Sequence, residues 1–113
     1  MKAVTRIIFF DENNDKFFGE GPARLLHTVE EKGSLRAAAL CMGMAYTKAL
    51  RLINNAEKAL GFPLIDRSTG GRDGGGSSLT PGGKEWLTRY DQFRDACIQA
   101  NRKLYLEFFP EQQ

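Results

Sequence analysis

The apolar positions of this chain change rhythm four times. The first run, Val4-Thr5-Arg6-Ile7-Ile8-Phe9-Phe10, is β-branched and aromatic; it breaks at Asp11-Glu12-Asn13-Asn14-Asp15 and resumes at Phe17-Phe18-Gly19. This predicts a strand, a turn and a short strand over residues 4–18. From Gly21-Pro22 the spacing becomes helical. Pro22, Leu25, Leu26 and Val29 share one face, and Gly33 after Lys32 marks the stop.

Ser34 is placed to cap a second, short helix, its hydroxyl taking the free N–H of Arg36 or Ala37 while Leu35, Ala38 and Ala39 turn inward. That helix is expected to end near Cys41. Gly43 allows a tight reversal and Met44 plugs the corner. A third helix follows from about Ala45 to Leu60, with Ala49, Leu52, Ile53, Ala56 and Leu60 inside. The order is helix, tight turn, helix.

Gly61 and Pro63 end the third helix, and Leu64-Ile65-Asp66-Arg67 reads as a strand. The loop from Ser68 to Ser78 holds five of the chain's 12 glycines and is no regular element. Leu79 returns as a brief second strand, and Thr80-Pro81 supplies a cap followed by proline at the first helical position. The last helix is predicted from Pro81 to about Phe109. Its residues Trp86, Tyr90, Phe93, Cys97, Ala100 and Leu104 recur at the alternating spacing of a coiled-coil seam. The first turns suit the chain's own core and the later ones suit a second copy, so a homodimer through this helix is expected.

A chain of 113 residues with 42% hydrophobic content fits one folded domain. No run approaches the roughly 20 apolar residues of a membrane span, and the run ending at Phe10 is too short for a signal peptide. A cytoplasmic protein with no membrane partner is expected. Cys41 and Cys97 form neither a C-x-x-C pair nor a disulfide framework, so both are expected reduced and packed, with no metal site. The net charge of +2 hides an asymmetry. Between Lys32 and Arg72 stand seven basic residues (Lys32, Arg36, Lys48, Arg51, Lys58, Arg67, Arg72) against Glu57 and Asp66, so one face suits a polyanion.

A duplex major groove about 12 Å wide admits one α-helix. On the third helix Tyr46, Thr47, Leu50, Arg51 and Asn54 lie opposite Ala49, Ile53 and Ala56, with Lys48 flanking them. Arg51 is of the type that forks onto guanine and Asn54 of the type that pairs with adenine, each such pair contributing about 1–3 kcal/mol of discrimination. Arg36, with the amides at Ser34 and Leu35, suits a phosphate oxygen. Arg67 and Arg72 suit the backbone or the adjacent minor groove. Catalytic readings find little. Gly83-Lys84 is followed by Glu85, and Ser78 stands where a P-loop's first glycine belongs. His27 is the sole histidine and reads as a partly buried helix residue, so no catalytic constellation and no enzyme is expected.

Taken together, Gly33-Ser34-Leu35-Arg36-Ala37-Ala38-Ala39, Gly43-Met44-Ala45-Tyr46, Asn54-Asn55-Ala56, the stretch from Pro63 to Gly76 and Leu79-Thr80-Pro81-Gly82-Gly83 resemble a known pattern. It is that of the N-terminal winged helix-turn-helix domain of the ModE family of molybdate-responsive transcriptional regulators, and more distantly of LysR-type DNA-binding domains. The likeness covers about residues 4 to 105. It implies a sequence-specific dimeric binder of double-stranded DNA, with the helix that begins near Ala45 in the major groove, the Gly-rich hairpin as wing and the final helix as dimer contact. Longer ModE proteins carry C-terminal oxyanion-binding domains, whereas this chain ends at Gln113, so neither molybdate nor another cofactor is expected. Ala45 stands where relatives often carry serine and Leu50 where some carry tryptophan, so their operator sequence does not transfer.

The expected fold is mostly α, with an N-terminal β-hairpin and a small β wing: one domain over residues 1–113. Strands occupy 4–18, helices 22–60, the wing 62–80 and the dimerisation helix 81–109. Two other classes stay open. One is a protein-interaction module, suggested by apolar Tyr46 and Leu50 on an otherwise polar face. The other is a small-ligand sensor beside Trp86, Tyr90 and Cys97.

Overall fold

The computed structural model describes residues 1–67 and 76–112. Phe9–Phe10 (β1) and Lys16–Phe18 (β2) form an antiparallel hairpin, followed by three helices: Glu20–Lys32 (α1), Leu35–Cys41 (α2) and Tyr46–Leu60 (α3). Ile65–Asp66 (β3) pairs antiparallel with Ser78–Leu79 (β4), in the register Ile65 to Leu79 and Asp66 to Ser78. Pro81–Phe108 (α4) and a one-turn 3-10 helix over Pro110–Gln112 complete the chain. This is a winged helix-turn-helix with a long C-terminal helix. The Gly-rich tip with Arg72 lies outside the described residues.

Each junction has a local cause. Ser34 Oγ accepts the Ala37 amide at 2.9 Å and caps α2; Thr80 Oγ1 accepts the Gly83 amide at 2.9 Å and caps α4. Between α2 and α3, Gly43 has φ 65°, a conformation glycine adopts without Cβ strain. The turn is closed by Met44 N–H donating to Ala39 O at 2.9 Å. Ala38 and Ala39 of α2 and Ala49 and Ala56 of α3 are buried, and these small side chains let the two helices pack closely.

The wing is fastened from several sides. Glu57 of α3 reaches past the helix end, its Oε2 accepting the amides of Leu64 at 2.7 Å and Ile65 at 3.4 Å. Ser77 N–H donates to Gly33 O, joining β4 to the turn before α2, and Thr80 N–H donates to Leu64 O. Gly83 lies so close to Leu64 that an added Cβ would stand 2.2 Å from its carbonyl oxygen. Only glycine fits where α4 crosses this strand.

The N-terminal segment departs from the expected strand. Only Phe9 and Phe10 pair in a sheet, with an irregular register between them. Residues before Phe9 form an arm whose carbonyls are taken by side chains of α4. Tyr90 Oη donates to Ile7 O (2.9 Å), Asn101 Nδ2 to Ala3 O (3.0 Å) and Tyr105 Oη to Met1 O (3.0 Å). As the helix number rises the arm number falls, so the arm runs antiparallel to α4 along one side of it.

At 1.5 Å per residue the 28-residue α4 extends about 42 Å. The radius of gyration, 16.7 Å, exceeds the roughly 13 Å of a compact domain near this size, because the second half of α4 projects from the core. Two expectations of burial fail. Cys41 is exposed at the end of α2, since Leu35, Ala38 and Ala39 define a buried face that excludes it. His27 is exposed too, its Nε2 2.7 Å from Asp91 Oδ2. It ties α1 to α4 at the surface. Among the described residues, no helix is long and apolar enough to cross a membrane.

Candidate nucleic-acid interface

Helix α3 has a sharply divided surface. Ala49, Ile53 and Ala56 are completely buried, while Thr47, Lys48, Arg51 and Asn54 are exposed. Thr47, Arg51 and Asn54 share a ridge, because 3.6 residues per turn carries Thr47 to Arg51 and on to Asn54, and Lys48 lies on its flank. Ala45 stands at the N-cap with extended backbone (φ −62°, ψ 140°) and no side-chain cap bond. The first-turn amides of α3 therefore lack the side-chain acceptor that Ser34 and Thr80 supply to α2 and α4. Ala45 O accepts the amides of Lys48 and Ala49. Among the described residues, Arg36, Lys48 and Arg51 make no ion pair.

Tyr46 and Leu50 are not the exposed apolar residues the sequence suggested. Both are half-buried and packed against the core, because they lie on the flank of α3 that faces α2. The guanidinium carbon of Arg36 lies 4.2 Å from the Tyr46 ring centroid. Such stacking fixes the plane of the guanidinium and leaves its edge donors outward. Ser34 is half-buried beneath, its hydroxyl oxygen committed to the cap. Arg67 is exposed just beyond β3. The structure thus places Lys48, Arg51 and Asn54 on the exposed side of α3 and Arg36 against Tyr46 at its N-terminal end; Arg67 is on the wing, and Arg72 lies outside the described residues.

Sequence reasoning counted Lys58 in the basic stretch but left it and Asn55 out of the reading face; both are exposed on α3. The same i, i+3, i+4 spacing that links Thr47, Arg51 and Asn54 leads to them.

The seam read along α4 divides. Tyr90 is 1% exposed, with its ring 5.0 Å from Phe18 and 6.0 Å from Phe9. Trp86 is half-buried, its ring 5.3 Å from both Phe9 and Phe18. Trp86, in the first turns expected to pack on the chain's own core, does so, and Tyr90 one turn further on is held there too, because the β1–β2 hairpin lays its phenylalanines on both. Phe93 faces Phe9 at 6.1 Å yet stays 50% exposed; Cys97 is half-buried, Ala100 is exposed and Leu104 is 50% exposed. Further on, Leu106, Phe108 and Phe109 are also exposed.

Two close-packed helices joined by a glycine turn, a β-hairpin after the second and a long helix behind define a winged helix-turn-helix domain. Residues 23–84 match the family model of the bacterial regulatory helix-turn-helix proteins, lysR family. That is more than half of the chain, and the chain belongs to this family. It is similar to the molybdenum transport protein ModE of Azotobacter vinelandii, with 36% identity over 67 residues, 59% of this chain and 25% of the relative. It is also similar to the transcriptional regulator ModE of Haemophilus influenzae, with 35% identity over 68 residues, 60% of this chain and 27% of the relative. The chain spans about a quarter of the length of these relatives.

Among solved structures, the BenM_DBD/catB site 1 DNA complex shares the fold, with TM-score 0.54 and 24% identity over 75% of this chain and 92% of that one. VV2_1132, a LysR family transcriptional regulator, matches with TM-score 0.53 and 21% identity over 79% of this chain and 28% of that chain. The ModE and LysR-type likeness read from the motifs agrees with these matches.

Proposed function

We propose that this chain is a DNA-binding domain of a transcriptional regulator, a binding module rather than an enzyme, that reads double-stranded DNA as a homodimer in the cytoplasm. One observation carries the reading: α3 presents an exposed ridge of Thr47, Arg51 and Asn54, flanked by exposed Lys48, with its back fully buried. A helix held this rigidly enters the major groove, where Arg51 and Asn54 supply the side-chain types that fork onto guanine and adenine edges. Arg36, steadied on Tyr46, takes a phosphate and fixes the register. The wing arginines Arg67 and Arg72 follow the backbone.

Dimerisation rests on the outer half of α4. Phe93 and Leu104 are each 50% exposed and Phe108 73%, large apolar groups on a helix that projects from its own core. A second copy of the helix covers them and sets two α3 ridges side by side. No step of this reading uses molybdate or another cofactor.

Electrophoretic shift of genomic duplex fragments tests the reading, together with sedimentation of the free chain. A specific shift that weakens linearly in log K against log salt is expected, from a species of twice the chain mass. A monomer indifferent to every duplex overturns it.

A further inference from the structure

We infer that the N-terminal arm and hairpin form a second phosphate-contacting element, in which Arg6 of the arm and Lys16 of the hairpin, standing with Lys48 around one cleft, hold the DNA strand on the side of α3 opposite to Arg36. The inference rests on the DNA-binding reading above and adds an element that lies before the matched helix-turn-helix region.

A cleft of about 360 Å³ opens between the hairpin and α3, and Arg6, Lys16, Lys48 and Asn55 all line it. At 100° per residue, Lys48 and Asn55 lie on one flank of the Thr47–Arg51–Asn54 ridge, and Tyr46 and Leu50 lie on the other. Arg36 covers the Tyr46 flank. The ridge therefore has cationic side chains on both sides. A helix seated in the major groove meets a sugar–phosphate backbone on each side, and two cationic flanks match that arrangement.

The cations are available. Arg6, Lys16 and Lys48 are exposed, and none makes an ion pair among the described residues. Among the described residues, Glu20 is the one carboxylate on this cleft. The charge reverses further along, where Asp11, Glu12 and Asp15 of the hairpin turn line a neighbouring cleft with Asn55, Lys58 and Ala59, and Lys16 stands at the border between the two clefts, lining both. Asp11 is committed locally, its Oδ1 accepting the amides of Asn13 and Asp15 at 2.9 Å. The attractive stretch is thus confined to the first half of α3. The backbone crosses there and is turned away from the C-terminal half, which sends the N-terminal end of the helix deepest into the groove.

The test is the salt dependence of duplex binding by the full chain, wild type against R6A/K16A, with R6Q and K16Q as single variants that keep side-chain length. Each lost phosphate contact should make the log K against log salt slope shallower by about 0.9, and phosphate-ethylation interference should vanish on one flank of the major groove only. Thermal unfolding should match wild type, since both side chains are exposed. A slope and interference pattern identical to wild type overturns this inference while leaving DNA binding intact. Failure of the wild-type chain to bind any duplex overturns the functional reading itself.

Discussion

Arg36 stacks its guanidinium over the ring of Tyr46, 4.2 Å from the centroid, and this pair joins the two helices of the helix-turn-helix. A cation over an aromatic face at such a site contributes about 0.5–1 kcal/mol. Tyr46→Leu keeps most of the packing and loses the ring, so it is expected to weaken duplex binding about two- to fivefold, with Tyr46→Phe near wild type. Fluorescence anisotropy on these variants with and without Arg36→Ala checks the coupling. Strict additivity of the two losses contradicts a positioning role for Tyr46.

Gly83 tests the crossing of α4 over the wing strand. A Cβ there meets Leu64 O at 2.2 Å, and a backbone carbonyl cannot escape by changing rotamer. Gly83→Ala is expected to lower stability by about 1–3 kcal/mol, read by denaturant unfolding. Gly82→Ala is the milder control, because its Cβ meets the Phe62 ring at 3.0 Å, a side chain able to shift.

Glu57 anchors the same strand. Removing its carboxylate orphans the amides of Leu64 and Ile65, and both residues are buried. Glu57→Ala is expected to cost about 1–3 kcal/mol and to lower hydrogen-exchange protection at these two amides first. Unchanged protection there contradicts the anchoring.

Much of this fold was legible in the sequence. The Ser34 and Thr80 caps, the Gly43 turn and the inner face of Ala49, Ile53 and Ala56 are local events, set within a few residues. The arm along α4 was not legible. Its bonds join Tyr90 to Ile7 and Tyr105 to Met1, across most of the chain, and go to backbone carbonyls that every residue carries. The α4 stripe was legible only in part for a related reason: spacing shows which side chains need cover, not how far along the helix the hairpin provides it. His27 gave no signal of Asp91 as partner, 64 positions away. Within the interface, the ridge residues were readable from periodicity. The burial of Tyr46 and Leu50 depended on where α2 lies.

Tyr90 carries a pH prediction. Burial pushes its phenol above its ordinary value of 10.0; nearby Glu20 and Asp91 add to this, and Arg94 opposes it. The folded chain thus holds this proton more tightly than the unfolded chain. The associated stability is complete below pH 10 and is lost as pH rises through the folded value. Wild type is expected to lose stability relative to Tyr90→Phe only above about pH 10, and the variant should lack a late-ionising phenol in an ultraviolet titration. A constant difference between the two from pH 7 to 11 contradicts this.

Selection of duplexes from a random pool by the purified chain, followed by sequencing, tests the central claim most directly. The expected product is an inverted repeat with half-sites about 10–10.5 base pairs apart or a multiple of that, losing discrimination at one position of each half-site with Arg51→Ala. A pool that emerges unenriched, or enriched identically by wild type and Arg51→Ala, contradicts the assignment of α3 as the reading helix.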